Sequence, residues 1–437
     1  MNTTAQSATN KRPQQVTYLI LQGLGSPFFR EVARLLAADG SRVHRVNYCG
    51  GDWWFSGSAK NHRFNGKTEK LEPFYRKLIE KHAVTAILLF GDCRPIHKAA
   101  LAVAKDMAVT VWVFEEGYTR PGFITCEKSG TNDLSALPRT PEALKARAHQ
   151  IGEMGDLSAP ALPNPLPRRV RMDFAHHFWN LLLKPFYFRY QTHRPESMGA
   201  EIHGWLSRFH RKIRFKNVNA TLIKRYESPE KPFFMVPLQL NSDFQIREHS
   251  DYASVLDFIR ETVASFARHA PKKALLMFKG HPLDNGMIDY RNYISMAAVQ
   301  HGVDGRVDYL EGGDLECFLK HAEGVVLINS TVGYAALRKA KPLKVMGRAL
   351  YDMQGLTEQR PLDKFWKRPS SVDLGLVADF LRVIKADSQV PGDFFTEAGI
   401  KMAAKGATCR IKADTKEKKP QETGATDNLQ LEEISAQ

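Results

Sequence analysis

Three short polar clusters have the residue types and spacing to work on a phosphate-activated substrate. Glu115-Glu116-Gly117 closes the very apolar run VTVWVF. At a strand end adjacent side chains point to opposite faces, so one of these carboxylates faces a cleft and the other turns away. A carboxylate so placed serves as general base, or as nucleophile toward an electrophilic centre such as an anomeric carbon. The plain alternative is a turn with two solvated acids. His281-Pro282 follows ALLMFKG, with Lys279 two residues earlier. Proline fixes the turn, and imidazole beside ammonium suits a nucleotide phosphate and a departing leaving group. Asn329-Ser330-Thr331 stands between GVVLIN and TVGYAALRKA. A hydroxyl there caps the helix, and the free N–H groups of a helix start attract phosphate; both uses are compatible.

These groups act together only if the chain brings them to one edge. VTYLILQ, VHRVNY, AILLFGD and VTVWVFE read as strands, separated by the helical segments PFFREVARLLAADG, TEKLEPFYRKLIEKHA and PIHKAALAVAKDMA. A second alternation runs from FFMVPLQL through ALLMFKG, RVDYLEG and GVVLINS to LKVMG. Strand–helix alternation means βαβ units and parallel sheets. The expected organisation is an α/β chain of two Rossmann-like domains, 16–165 and 231–350, facing across a cleft in the manner called GT-B. Helices over 351–410 pack back on the first domain. The proline-rich stretch 130–170 reads as a connecting or lid region. A basic, aromatic helical insert fills 166–230, and 411–437, rich in Lys, Glu, Gln and Thr, reads as a disordered tail. Epimerases and binding proteins share such halves, so the fold alone leaves the function open.

In parallel α/β sheets ligands sit beyond the carboxyl ends of the strands. The polar clusters QGLGSP, NYCGGDWW, FGDCRP, FEEGYTRP, QLNSDFQ, KGHPLD and INSTVGY all fall at such ends. Gln22, Gly23 and Gly25, with Gly51, Asp52 and Trp53, are read as loops on the acceptor side. The two glycines of QGLG allow a tight turn and a close ligand approach.

GxGxxG, Walker A, HExxH, GxSxG and a DxD pair are absent, so neither a dinucleotide cofactor nor a bound metal is expected. Five scattered cysteines without a CxxC pair indicate a reducing compartment and no disulfide framework. No stretch approaches the roughly 20 apolar residues of a spanning helix, and the polar start lacks the apolar core of a secretory signal. The formal net charge of +15 implies an anionic partner. Between Arg168 and Glu227, 13 Lys or Arg face 4 Asp or Glu, with Trp179, Phe186, Tyr187, Phe188, Tyr190 and Trp205 interspersed. That mixture suits an anionic bilayer surface. No recognisable RNA- or DNA-binding module accompanies the charge, so nucleic acid is not expected as a partner.

Taken together, LQGLGSPFFREVARLLAADGSRVHRVNYCGGDWWF, LLFGDCRPIHKAALAVAK, VFEEGYTRPGFIT, KGHPLD and INSTVGYAALRKAKPLKVMGRALYDMQGLT resemble the capsule polysaccharide biosynthesis/export family of KpsS or LipB type, over about residues 16 to 360. The resemblance implies a cytoplasmic, peripheral inner-membrane enzyme. It would be a retaining β-Kdo transferase that uses CMP-β-Kdo, without a further cofactor, to start a Kdo linker on a phosphatidylglycerol-type lipid, possible partners being other capsule assembly proteins. By that likeness Glu115-Glu116-Gly117 supplies the catalytic carboxylate, with Glu116 as nucleophile and Glu115, Asp92 and, more weakly, Asp243 in reserve. His281-Pro282 and Lys279 meet the CMP phosphate, and Asn329, Ser330 and Thr331 close around it. Arg94 and Arg120 are the candidates for the sugar carboxylate. QGLGSP and SGTNDLS depart from the family's usual forms. The rival readings are a sialyltransferase-like inverting enzyme and a non-catalytic membrane-associated scaffold for capsule assembly.

Overall fold

The computed structural model describes residues 15–153, 158–190, 198–241 and 244–417. The first sheet contains β1 (Thr17–Ile20), β2 (Arg42–Asn47), β3 (Lys60–Arg63), β4 (Ala86–Phe90), β5 (Thr110–Glu116) and β6 (Phe123–Lys128). The second contains β7 (Phe233–Pro237), β8 (Leu275–Lys279), β9 (Val307–Leu310), β10 (Gly324–Leu327) and β11 (Leu343–Val345). A late strand, β12 (Gln389–Pro391), returns to the first sheet, whose order is β12-β6-β5-β4-β1-β2-β3; the second sheet's order is β11-β10-β7-β8-β9.

Every residue of β1, β4, β7, β8 and β10 is buried. Unbroken apolar runs of this kind belong to strands covered by helices on both faces. Phe28, Phe29 and Val32 pack on one face of the first sheet, and Leu78, Ile79 and Val103 on the other. The second sheet is likewise enclosed, by Leu337, Phe380 and Ile384 on one side and Phe258, Phe266 and Trp366 on the other.

The second sheet is wholly parallel. The first is not: β6 runs back antiparallel beside β5, and β12 pairs antiparallel with β6. The loop after Glu116 reverses the chain at once, so the polar FEEGYTRP segment leads into a neighbouring strand instead of a helix.

Three boundaries differ from the sequence reading. Within the expected connector, Pro141–Ile151 is a helix, capped by the Thr140 hydroxyl at 3.3 Å from the Ala143 N–H. Its Leu144 and Ala148 are buried in the second sheet's core, and Arg147 makes a two-pronged contact with Asp387 at 2.7 Å on each oxygen. Only a narrow apolar stripe marks this helix in a proline-rich setting, so its periodicity is weak. The helix Leu166–Leu182, which begins the expected insert, packs on Gly50–Trp54 of the first domain. The last described helix, Glu397–Glu417, lies along the helix Phe28–Ala38 and buries Ala403, Ala404, Ala407 and Ile411. Order thus extends past residue 411, because Lys412 pairs with Asp39 at 2.5 Å and Asp414 with Lys128 at 2.6 Å; residues 418–437 lie outside the described residues.

Close packing explains the glycines of NYCGGDWW. A Cβ on Gly50 would fall 2.0 Å from the Trp179 carbonyl oxygen, and one on Gly51 would fall 2.0 Å from His176 Nδ1. Gly50→Ala is expected to destabilise the chain by about 1–3 kcal/mol through overpacking, read as a fall of a few degrees in melting temperature. An unchanged melting temperature would mean that the helix Leu166–Leu182 is not seated there.

Candidate active site

β5 ends beside the second sheet, and its two final carboxylates divide between different surroundings. Glu116 is paired with two arginines, Arg169 at 3.5 Å and Arg120 at 3.7 Å. Arg120 also donates to the Thr331 hydroxyl at 3.2 Å, so one guanidinium spans the cleft from the carboxylate of the first sheet to a hydroxyl of the second. Glu115 turns toward β4. Its Oε2 would lie 3.4 Å from a Cβ on Gly91, where φ is +72°, and its Oε1 accepts from the Glu116 N–H at 3.2 Å. Burial pushes the Glu115 carboxyl up to about 8; the Glu116 N–H works against this, Asp92 and Glu116 add repulsion, and Arg94 pulls the other way. Two adjacent acids therefore occupy different electrostatic settings, the pattern that separates acid from base roles.

From the second sheet, β8 delivers Lys279, which is buried and whose ammonium is lowered chiefly by desolvation. His281 follows in the turn. Its Nδ1 accepts the Leu283 N–H at 3.1 Å, and burial, reinforced by Arg120, Arg208, Lys279 and Arg169, pushes its pKa down to about 4. A neutral imidazole whose Nδ1 accepts carries its proton on Nε2 and so offers an N–H donor. Arg208, on the helix Met198–Arg214, holds this turn by donating to the carbonyls of Pro282 at 3.0 Å, His281 at 3.2 Å and Asp284 at 2.5 Å. Its Nε reaches Glu311 at 3.3 Å. Ser330 accepts the Val332 N–H at 3.3 Å at the start of the helix Val332–Arg338, while its carbonyl accepts from Tyr351 at 2.6 Å.

The structure thus brings Glu116, Arg120 and Thr331 into one chain of contacts, with His281 near enough to Arg120 and Arg169 to feel their charge. Other expected residues have different duties. Asn329 exchanges hydrogen bonds with the Gln239 side chain and donates to the His249 carbonyl, which fixes the loop. Asp92 is buried and accepts from the Thr131 N–H at 2.9 Å and hydroxyl at 3.2 Å, anchoring the turn after β6. Arg94 donates to the Gly23 carbonyl at 3.1 Å, lies over the Phe90 ring and is near enough to Glu115 to act on its charge. Asp52 accepts from Gln22 at 2.9 Å and from the Tyr48 N–H at 3.0 Å. A Cβ on Gly23 would strike the Phe29 ring, and one on Gly25 would crowd His176. Gly23, Gly25 and Gly51 therefore admit neighbouring side chains where a ligand had been expected. Trp53 is exposed and packs near Trp179 at 5.6 Å. Asp243 lies outside the described residues.

Two arginines were missed as site residues. Arg169 and Arg208 belong to the basic insert, where the charge count treats every cation as outward-facing. Nothing local distinguishes these two from their neighbours. The domains also touch directly. Tyr118 stacks on Tyr334 at 5.2 Å with ring planes 11° apart. Cys93 Sγ lies 3.2 Å from His249 Nε2, and Asp133 accepts from Arg348 at 3.2 Å. Gln22, Tyr48, Phe64, Arg94, Ile96 and Tyr190 line an open recess on the first domain.

Two helix-covered α/β sheets, joined so that charged groups from the carboxyl ends of both meet in one cleft, define a GT-B-type architecture. The chain belongs to the capsule polysaccharide biosynthesis protein family, which its residues 85–395 match. It is 35% identical over 383 residues to the capsule polysaccharide export protein KpsS of Escherichia coli, covering 86% of this chain and 96% of that protein. To the capsule polysaccharide modification protein LipB of Neisseria meningitidis serogroup A it is 34% identical over 387 residues, covering 87% and 91%. Among solved structures, the β-Kdo 2,7 transferase of Thermosulfurimonas dismutans KpsC aligns over 92% of this chain and all of that one, with a TM-score of 0.43 and 14% identity.

The Glu115 environment sets a pH dependence with a definite sign. Its carboxyl loses a proton near 4.5 when unperturbed and near 8 in the fold, so between these values the folded state holds the extra proton. Stability contributed here therefore falls as pH rises through that window. Glu115→Gln, which stays neutral, is expected to lose less melting temperature than the parent between about pH 5 and about pH 8. Equal losses in both proteins would show that Glu115 ionises normally.

Proposed function

We propose that this chain is a retaining β-Kdo glycosyltransferase that uses CMP-β-Kdo to start the Kdo linker on a phosphatidylglycerol-type lipid for capsular polysaccharide. The observation that carries the reading is the Glu116–Arg120–Thr331 bridge, which sets a carboxylate of one sheet against the hydroxyl and imidazole groups of the other. Membership of the capsule polysaccharide family supports it.

In the proposed reaction Glu116 attacks the anomeric carbon of the donor sugar. The bond from that carbon to the phosphate oxygen breaks, and CMP leaves with the electron pair. Lys279 and the His281 Nε2–H receive the phosphate's negative charge, and the Thr331 hydroxyl closes on it. Arg120 and Arg169, held on Glu116 at 3.5 to 3.7 Å, transfer part of their attention to the sugar carboxylate and free the nucleophile. An acceptor hydroxyl then attacks the same carbon, its proton passes to water, and the bond to Glu116 breaks with the electron pair returning to that carboxylate. Two displacements retain the configuration. Three cationic side chains, Lys279, Arg120 and Arg169, supply the positive charge, with His281 and Thr331 as neutral donors, so the scheme requires no metal.

A lipid acceptor requires access to a bilayer. Phe174, Phe178 and Leu181 recur at helical spacing and are 73%, 50% and 69% exposed, and Trp205, Leu206, Phe209 and Ile213 are exposed on the helix Met198–Arg214. Apolar rows flanked by arginines on a chain of net charge +15 suit an anionic leaflet. Among the described residues no helix is long and apolar enough to cross a membrane. We place the enzyme peripherally on the cytoplasmic face.

Incubation with CMP-Kdo and a synthetic phosphatidylglycerol acceptor, read by mass spectrometry, is expected to give a Kdo-bearing lipid and free CMP. Glu116→Gln is expected to lower turnover by about 100-fold or more, and a trapped glycosyl–protein mass should vanish with it. Full activity of that variant discards the assignment, and no CMP release from the parent favours a scaffold. Replacing Phe174, Phe178 and Leu181 together by serine is expected to abolish flotation with phosphatidylglycerol vesicles while leaving the melting temperature within a few degrees of the parent. Unchanged flotation removes the membrane surface proposed here.

A further inference from the structure

Far along the first sheet from β5, three histidines from three elements converge. His44 is on β2, His62 on the edge strand β3, and His82 is the last residue of the helix Leu71–His82. His44 Nδ1 and His62 Nε2 are 2.8 Å apart. The His44 ring lies 4.2 Å from that of His82 and 5.1 Å from that of His62, and the His62 and His82 rings are 5.1 Å apart. One nitrogen from each ring falls within 4.8 Å of both others. The register of the two strands produces half of this: His44 pairs with Lys60 and Val46 with His62, so both histidines rise from the same face of the sheet two residues apart along it.

We propose that His44, His62 and His82 form a binding site for a divalent transition metal ion of the zinc class, with three imidazole ligands and an open fourth position. Imidazole nitrogen suits zinc, copper and nickel. Bonds of about 2.0–2.1 Å in a tetrahedral site put ligand nitrogens about 3.3 Å apart. The 2.8 Å pair must therefore open by a few tenths of an ångström and the third nitrogen close in. Rotations of side chains at a strand edge and a helix terminus accomplish this. His44 and His62 share a hydrogen bond, in which one ring donates and the other accepts. On metal binding the donor ring moves that proton to its other nitrogen, leaving two lone pairs directed at the ion.

Burial pushes His44 down to about 4 and also lowers His62 and His82, with the other imidazoles, Lys60, Lys81 and Arg42 acting in the same direction. An imidazole binds a metal through its neutral form. The same cations make an anion, such as hydroxide, the fitting fourth ligand. A bound ion would fasten the edge strand β3, most of whose residues are exposed, to the helix Leu71–His82. This site is separate from Glu116 and does not rest on the proposed transferase activity.

The test uses untagged full-length protein stripped with chelator, titrated with cobalt(II) and then with zinc(II). One equivalent of cobalt is expected to bind with the visible absorption of a tetrahedral nitrogen site, and zinc to displace it and raise the melting temperature. His62→Asn and His82→Asn are each expected to weaken zinc binding by roughly 100-fold. Both must melt, without metal, near the parent. Should one fail to fold, the other carries the measurement, since the two residues lie on different elements. Absence of stoichiometric binding, binding unchanged in both variants, or binding removed only by Cys317→Ser and Cys409→Ser would overturn the proposal.

Discussion

Everything at the cleft depends on positive charge held between the two sheets and set against Glu116 of the first. Arg120 is the central member, because its guanidinium answers Glu116 on one side and Thr331 on the other. Arg169 repeats the first contact, and Arg208 secures the turn that carries His281. Without these cations two neighbouring glutamates at one strand end would face desolvation unaided. With them one acid is held by two arginines, while the other is pushed into the neutral range by burial.

That arrangement needs the sheets to hold a fixed relation, and the chain secures it by exchanging elements. The helix Pro141–Ile151 crosses to the second sheet's core, and β12 with the helix Glu397–Glu417 returns to the first. Tyr118 stacking on Tyr334 and the Arg147–Asp387 pair lie where these crossings bring the domains together. Two crossings and an aromatic stack thus tie the two sheets to each other. The buried Cys93–His249 contact sits in the same interface and adds a polar link between the halves.

The basic insert has two faces with different physics. Phe174, Phe178 and Leu181 look outward, while Arg169 on the same helix looks into the cleft. One helix therefore presents apolar side chains on its outer face and a guanidinium to Glu116 on the other. Close seating of this helix demands Gly50 and Gly51, where a Cβ would meet the Trp179 carbonyl and the His176 ring.

The apolar runs of nine strands, the helices between them and the edge at which the polar clusters gather were legible in the amino-acid order, because burial on both faces of a parallel strand demands an unbroken hydrophobic run. So was the position of Glu116, His281 and Thr331 at the carboxyl edges, since a polar residue directly after such a run stands there. Tertiary structure alone decided that β6 and β12 run antiparallel, that Asp92, Asp52 and Asn329 spend their hydrogen bonds on loops, and that Arg169 and Arg208 turn inward. The reason is one of range. Periodicity records which face of an element is apolar, whereas the partner of a charged side chain is set by contacts between residues such as Arg169 and Glu116, 53 positions apart, which leave no trace in local pattern.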